Sequence, residues 1–210
     1  MGDIRFECRD VRVDPYAASP TLLFRLSITE PDGDAVHAIA LRCQIRIEPQ
    51  ARTYAPGEAE LLADLFGTPA RWGDTVKPLQ FANVSLLVPR FTGATDIDLP
   101  VPCSYDLDVA AGKYFASLDE GEVPMLLLFS GTVFAKDGEG FTVRQVPWHC
   151  EARHAMPVSV WREMIDRYFP GSGWLRLHRD TLRALQRFKS ERSLATWDEV
   201  VEVLLKEARG

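Results

Sequence analysis

Between Ile39 and Glu48 apolar and polar side chains alternate, and that period of two constrains the fold more than any other feature. Ile39, Leu41, Cys43, Ile45 and Ile47 fall on one face, with Arg42, Gln44, Arg46 and Glu48 on the other. Successive side chains of a strand point to opposite sides, so this segment reads as a strand buried on one face and wetted on the other, the mark of an antiparallel sheet. The pattern recurs along the chain. Ile4, Phe6 and Cys8 alternate, slip one phase at Asp10 and resume at Val11 and Val13, which predicts a strand with a bulge. Thr21–Thr29 places Leu22, Phe24, Leu26 and Ile28 together, and the turn residues Glu30-Pro31-Asp32-Gly33-Asp34 predict a hairpin into the next strand.

Phe81–Val88 is again strand-like, and a long alternation covers Ala94–Val109. Pro100 and Pro102 lie inside that run and cannot donate ladder hydrogen bonds, so part of it belongs at a sheet edge or crossover. Val123–Phe134 is almost wholly apolar and should lie centrally. The residues Lys136–Gly140 then turn the chain into a partner strand over Phe141–Trp148. Residues 57–67 read as a helix with Leu61, Leu62, Leu65 and Phe66 inward and Gly67 at its end, and a helical turn is expected around residues 110–118.

From Val158 the period becomes helical, with Val160, Trp161, Met164, Ile165 and Tyr168 on one stripe until Pro170 and Gly171. A second helix is predicted over roughly Trp174–Ser190. A third begins at Thr196, where Glu199 completes a capping box. The expected fold is α+β: an antiparallel β-sandwich or strongly twisted antiparallel sheet, followed by C-terminal helices packed on it. The boundary falls between a β-rich body over residues 1–156 and a helical segment over 157–210, together forming a single domain.

Composition narrows the function. Four cysteines, Cys8, Cys43, Cys103 and Cys150, are widely spaced in strand-like segments and read as reduced, buried thiols of a cytoplasmic protein. The N-terminus lacks the basic and apolar regions of a signal peptide, and no apolar run is long enough to span a bilayer. A net charge of −6 argues against a nucleic-acid partner. No membrane partner and no cofactor are expected either, since GxGxxG, P-loop and GxSxG motifs are all missing.

Three candidate sites stand out. The segment Val146–Leu177 gathers Trp148, Trp161 and Trp174 with His149, Cys150 and His154, the densest set of possible metal ligands. The histidines are five apart rather than four, and strand parity sets His149 opposite Cys150 and His154, so four ligands cannot converge from this segment alone. Asp96, Asp98, Asp106 and Asp108 share one face of a strand-like run, where carboxylates could serve acid–base or calcium chemistry, but a solvated face is the plainer reading. Arg176, Arg179, Arg183 and Arg187 stack along one side of the second helix. From Pro157 onward ten Lys/Arg meet eight Asp/Glu, a net charge of +2, leaving −8 for the rest. That stripe is the candidate protein-binding surface, and no catalytic residues are assigned.

The segments at residues 40–49 (ALRCQIRIEP), 61–73 (LLADLFGTPARWG), 88–93 (VPRFTG), 99–109 (LPVPCSYDLDV), 123–134 (VPMLLLFSGTVF) and 160–177 (VWREMIDRYFPGSGWLRL) resemble an uncharacterised actinobacterial protein family often encoded beside high-affinity uptake nickel–iron hydrogenase genes. The resemblance implies an accessory or assembly role with hydrogenase subunits or maturation factors as protein partners, and it carries no catalytic residues across. The expected function is a non-catalytic accessory or interaction protein in hydrogenase assembly or maturation. The alternatives are a chaperone-like binder of unfolded or precursor polypeptides and, further off, a metal-dependent enzyme centred on His149, Cys150 or His154.

Overall fold

Two antiparallel sheets share one apolar core. The computed structural model describes residues 3–103, 109–137, 140–171 and 177–209. The first sheet has the order β1 (Arg5–Val13), β2 (Thr21–Thr29), β6 (Ala94–Pro102). The second is built around β3 (Ala35–Ile47) and β7 (Glu122–Asp137), in the order β4 (Leu79–Val88), β3, β7, β8 (Gly140–Gln145). The short β5 (Phe91–Thr92) pairs with β3, and β9 (Glu151–Pro157) pairs with β7 beyond the end of β8.

Alternation decides which side chains meet between the sheets. Leu22, Phe24, Leu26 and Ile28 of β2 are fully buried, and so are Ile39, Ile45 and Ile47 of β3. Each such side chain contributes about 1.5–3 kcal/mol relative to exposure. Phe6 of β1 stacks on Phe129 of β7 with ring centroids 4.3 Å apart, joining the two inner faces. The phase slip near Asp10 is a break in register between Cys8 and Asp10, and it keeps Val11 and Val13 inward. Pro100 and Pro102 lie on edge strand β6 and are exposed, so neither removes a needed ladder bond.

Three expectations require correction. Residues 30–34 do not close a hairpin, because β2 is paired on both sides by β1 and β6, and β3 by β4 and β7. The turn carries the chain from one sheet to the other instead; its chemistry permits a reversal but does not choose a strand's partner. The alternation after Ala94 ends as strand at Pro102, where the Cys103 N–H reaches back to Pro20 O, and Val109 already begins helix α3 (Val109–Ala116). In α1 (Pro56–Phe66) the buried stripe is Glu58, Leu62 and Phe66, four residues apart, which turns Leu61 outward at 60% exposure and leaves Leu65 half-buried. A charged residue has taken the first inward position.

A four-residue helix, α2 (Trp72–Thr75), follows α1, and α4 (Val158–Tyr168) follows β9 directly. Trp161 of α4 lies 4.3 Å from Phe115 of α3 in a stacked pair, and Phe81 of β4 meets it edge-on at 6.4 Å. Tyr168 anchors the end of α4 by donating to Ala17 O at 2.7 Å.

The chain divides into two compact units, Met1–Gly171 and Ser172–Gly210, so α4 belongs with the sheets. Among the described residues the second unit consists of α5 (Arg179–Glu191) and α6 (Trp197–Glu207). Thr196 caps α6 by accepting from the Glu199 N–H, while the Glu199 carboxylate takes the N–H of Ala195 rather than that of Thr196. The helix expected from Trp174 is described only from Arg179; residues 172–176 lie outside the described residues.

Gly131 of β7 is the tightest backbone position. Its φ is +145°, and an added Cβ would stand 2.1 Å from the carbonyl oxygen of Ala40 on β3. Gly131→Ala should therefore lower stability in urea unfolding by about 3 kcal/mol or more. Gly112→Ala on α3, where a Cβ meets nothing within 4 Å, should be neutral or stabilising by up to ~1 kcal/mol.

Candidate functional site

The histidine–cysteine segment lies at the corner between β8 and β9, beside the middle of β7. The Val146 N–H donates to Gly131 O and the Phe129 N–H to Cys150 O, so residues 146–150 bridge the gap between the two partner strands. His149 occupies a turn rather than a strand, is exposed, and places Nε2 3.4 Å from an Asp3 carboxylate oxygen. Cys150 is buried and donates its thiol to Ile4 O at 3.4 Å. His154 sits on β9 with Nδ1 3.3 Å from Cys8 O, while its Nε2 is buried without a partner. Among the described residues these three do not bring ligand atoms within 4.8 Å of one another. Each engages β1 or the residues before it, which makes the segment a seam between the sheets. Trp148 is 92% exposed and packs in no core; only Trp161 of the three tryptophans is seen buried, and Trp174 lies outside the described residues.

Thiol chemistry is suppressed throughout. Burial pushes the Cys8, Cys43 and Cys103 thiols up to about 12, and burial followed by the Asp3 carboxylate raises Cys150. The thiolate is the nucleophile, so none of the four is poised for covalent chemistry.

Asp96 and Asp98 do share a face of β6, but both are matched across it. Asp98 accepts from both terminal nitrogens of Arg12, at 3.2 and 2.7 Å, and lies 3.4 Å from Arg25; Asp96 is 3.6 Å from Arg25. The hydrogen bond from Arg12 holds Asp98 below the usual carboxylate range. Asp106 and Asp108 lie outside the described residues.

The arginine stripe is open to solvent. Arg183 and Arg187, with Asp180, Gln186 and Ser190, line a shallow groove of about 640 Å³ on α5. Arg183 lies 4.0 Å from Asp180, whereas among the described residues Arg179 and Arg187 have no ion-pair partner. Arg176 lies outside the described residues. No residue of α5 is buried, and only Val200 is buried in α6. Leu182, Trp197, Val201 and Leu205 expose between 39% and 52% of their surface.

One constellation escaped the sequence reading. Arg52 and Glu58 form a buried ion pair at 2.6 Å, with side chains 8% and 4% exposed. Glu58 also accepts from the N–H groups of Ala55 and Asp119, and Arg52 donates to the carbonyls of Glu120 and Glu122. Beside them the Tyr54 and Tyr114 hydroxyls lie 2.8 Å apart, and Tyr54 donates to Pro49 O. Burial raises both phenols, so neither ionises near neutral pH. The loop clamped in this way, Asp119–Gly121, forms one wall of a groove of about 790 Å³ whose other wall is Ser159, Arg162 and Glu163 of α4. The spacing of Arg52 and Glu58 on a loop and a helix start gave no motif. The only available signal was a glutamate occupying an inward helical position.

The chain belongs to a family of unknown function (DUF6084), whose model matches residues 1–210. No curated protein matches it. Among the described residues no helix is long and apolar enough to cross a membrane.

Two measurements follow. Native protein at pH 8 should react with a thiol reagent roughly a hundredfold more slowly than the guanidinium-unfolded chain, which should release all four thiols. For Glu58, burial raises the pKa, but the N–H groups of Ala55 and Asp119 and the Arg52 charge outweigh it, leaving the folded pKa below the ordinary 4.5. Its contribution to stability is therefore present above 4.5 and lost as pH falls through the lower folded value. The urea midpoint should decline below that pH, and Glu58→Gln should flatten the decline; an unchanged slope would mean that other carboxylates carry it.

Proposed function

We propose that this protein is a non-catalytic accessory protein that binds a protein partner through the α5–α6 unit, in the assembly or maturation of a nickel–iron hydrogenase. The observation that carries the binding mode is the surface of that unit: exposed apolar side chains at Leu182, Trp197, Val201 and Leu205, on helices that also carry Arg179, Arg183 and Arg187. Exposed apolar side chains on both helices, with an arginine face on α5, suit a partner that offers an apolar contact and acidic groups, because charge complementarity steers encounter while apolar burial supplies affinity. The hydrogenase context rests on the sequence resemblance. The buried thiols and the matched Asp96 and Asp98 agree with a role that needs no chemistry.

A second reading, a chaperone-like binder of unfolded or precursor polypeptides, draws on the same exposed apolar residues. It differs in predicting little selectivity.

Affinity purification of the tagged full-length chain from native cells separates the two. The wild type should retain hydrogenase subunits or maturation factors, and Arg179→Glu/Arg183→Glu/Arg187→Glu should lose them about tenfold or more. A clean pull-down would count against the proposal, and equal retention of unrelated unfolded chains by wild type and variant would favour the chaperone reading.

A further inference from the structure

The outer face of the second sheet departs from the polar, solvated face that an antiparallel sheet ordinarily turns to water. Directly opposed residues of neighbouring strands lie on the same side of a sheet, so register defines rows across β4, β3, β7 and β8. Ala38, Phe134 and Val143 form one row, and Ala40 with Leu87 lies in the next. Their strand neighbours Ile39, Leu41 and Val133 point into the core, so these five point away from it. Leu87 and Val143 are 67% and 60% exposed, Ala40 is exposed, and Ala38 and Phe134 are half-buried. The row beyond Ala40 holds Arg42, which is exposed and has no ion-pair partner among the described residues. Arg46, two rows further, donates to Gln44 Oε1 at 3.2 Å. Arg144 of β8 faces the opposite side and pairs with the buried Glu30 at 2.6 Å. The outer face of the first sheet is different in kind, since its charges are matched, Arg12 with Asp98 and Arg25 with Asp96.

We propose that this face docks an amphipathic helix of a protein partner, its apolar stripe on the Ala38 and Ala40 rows and its acidic margin toward Arg42. Dimensions agree. From β4 to β8 is three strand spacings, about 14 Å, which a helix crosses in about ten residues. The Arg42 row stands about 7 Å from the Ala40 row, within reach of a carboxylate on the flank of a helix about 10 Å across. Charge complementarity selects the occupant, because an exposed guanidinium beside an apolar strip gains from a carboxylate and gains nothing from a neutral or basic margin. A second copy laid face to face about a twofold axis would set the arginine rows against each other or against the apolar rows, and neither supplies the missing carboxylate. An anionic membrane is held by clusters of roughly four to eight basic residues, and Arg42 and Arg46 fall short of that. This surface lies wholly within the first unit and is independent of the one proposed on α5 and α6.

Fluorescence anisotropy with a labelled synthetic helical peptide, leucine-striped and flanked by glutamates, tests this on the full-length chain. Arg179→Glu/Arg183→Glu/Arg187→Glu serves as the background, so that the α5 face is silenced and the two surfaces can fail separately. In that background the peptide should bind saturably, and its lysine-flanked counterpart at least about tenfold more weakly. Adding Arg42→Glu, or Leu87→Thr/Val143→Thr, should weaken the glutamate peptide about tenfold or more. All three positions are exposed and threonine suits a strand, so these variants should keep the urea midpoint of the background. The proposal is overturned if no saturable binding occurs, if the lysine-flanked peptide binds as well, or if either variant binds undiminished. Tighter capture by phosphatidylserine vesicles than by the peptide, or a dimer that Leu87→Thr/Val143→Thr breaks, would overturn it in favour of a membrane or a second copy.

Discussion

The body of this protein depends on a salt bridge placed where an aliphatic side chain would be expected. Arg52 and Glu58 are both almost fully buried, and taking two ions out of water costs several kcal/mol each unless further hydrogen bonds repay it. Here they do for all but one group, the Nε of Arg52, which is buried without a partner. Glu58 gathers the N–H of Ala55, the N-cap of its own helix, and the N–H of Asp119, while Arg52 donates to two carbonyls just before and at the start of β7. The loop before α1 and the start of α1, six residues apart at Arg52 and Glu58, are thereby tied by one charge pair to the loop entering β7, more than sixty residues on. The Tyr54–Tyr114 contact extends the same polar seam to α3. Hydrophobic burial between the sheets is non-directional, whereas this pair ties the start of α1 to the entry of the central strand in one geometry.

The two units contrast in how they use apolar surface. In the first, both sheets turn a continuous apolar face inward and the thiols are locked away as unreactive core residues. In the second, α5 has no buried residue, and large apolar side chains of both helices remain exposed. Trp197 is partly shielded by Lys189, whose ammonium lies 5.9 Å from the ring and also caps the carbonyls of Leu194 and Ala195. Local capping and ion pairs hold these helices in shape without covering their apolar residues, and the proposed partner role rests on that contrast.

Much of the β-body could be read from periodicity because its cause is local. The alternation at Ile39–Ile47, the slip near Asp10 and the prolines of the β6 edge each express a one-residue rule of the pleated strand. Pairing choices were not legible. The Glu30–Asp34 turn has hairpin chemistry, yet it joins strands of different sheets because β1 and β6 compete successfully for β2. The site residues were hidden for a related reason. Arg52 meets carbonyls about seventy positions away, and Glu30 meets Arg144 across 114 residues, distances at which a single sequence carries no spacing signal. Conversely, His149, Cys150 and His154 drew attention by proximity in sequence, whereas the fold spends each on a separate contact with the first strand or its lead-in.

A double-mutant cycle on Arg52→Met and Glu58→Leu, followed by urea unfolding, probes the buried pair directly. Each single change should cost about 3–5 kcal/mol by stranding a buried charge, and the double variant should be clearly more stable than the sum of the two losses implies. Single losses below about 1 kcal/mol that add without coupling, as for an exposed ion pair, would contradict the account.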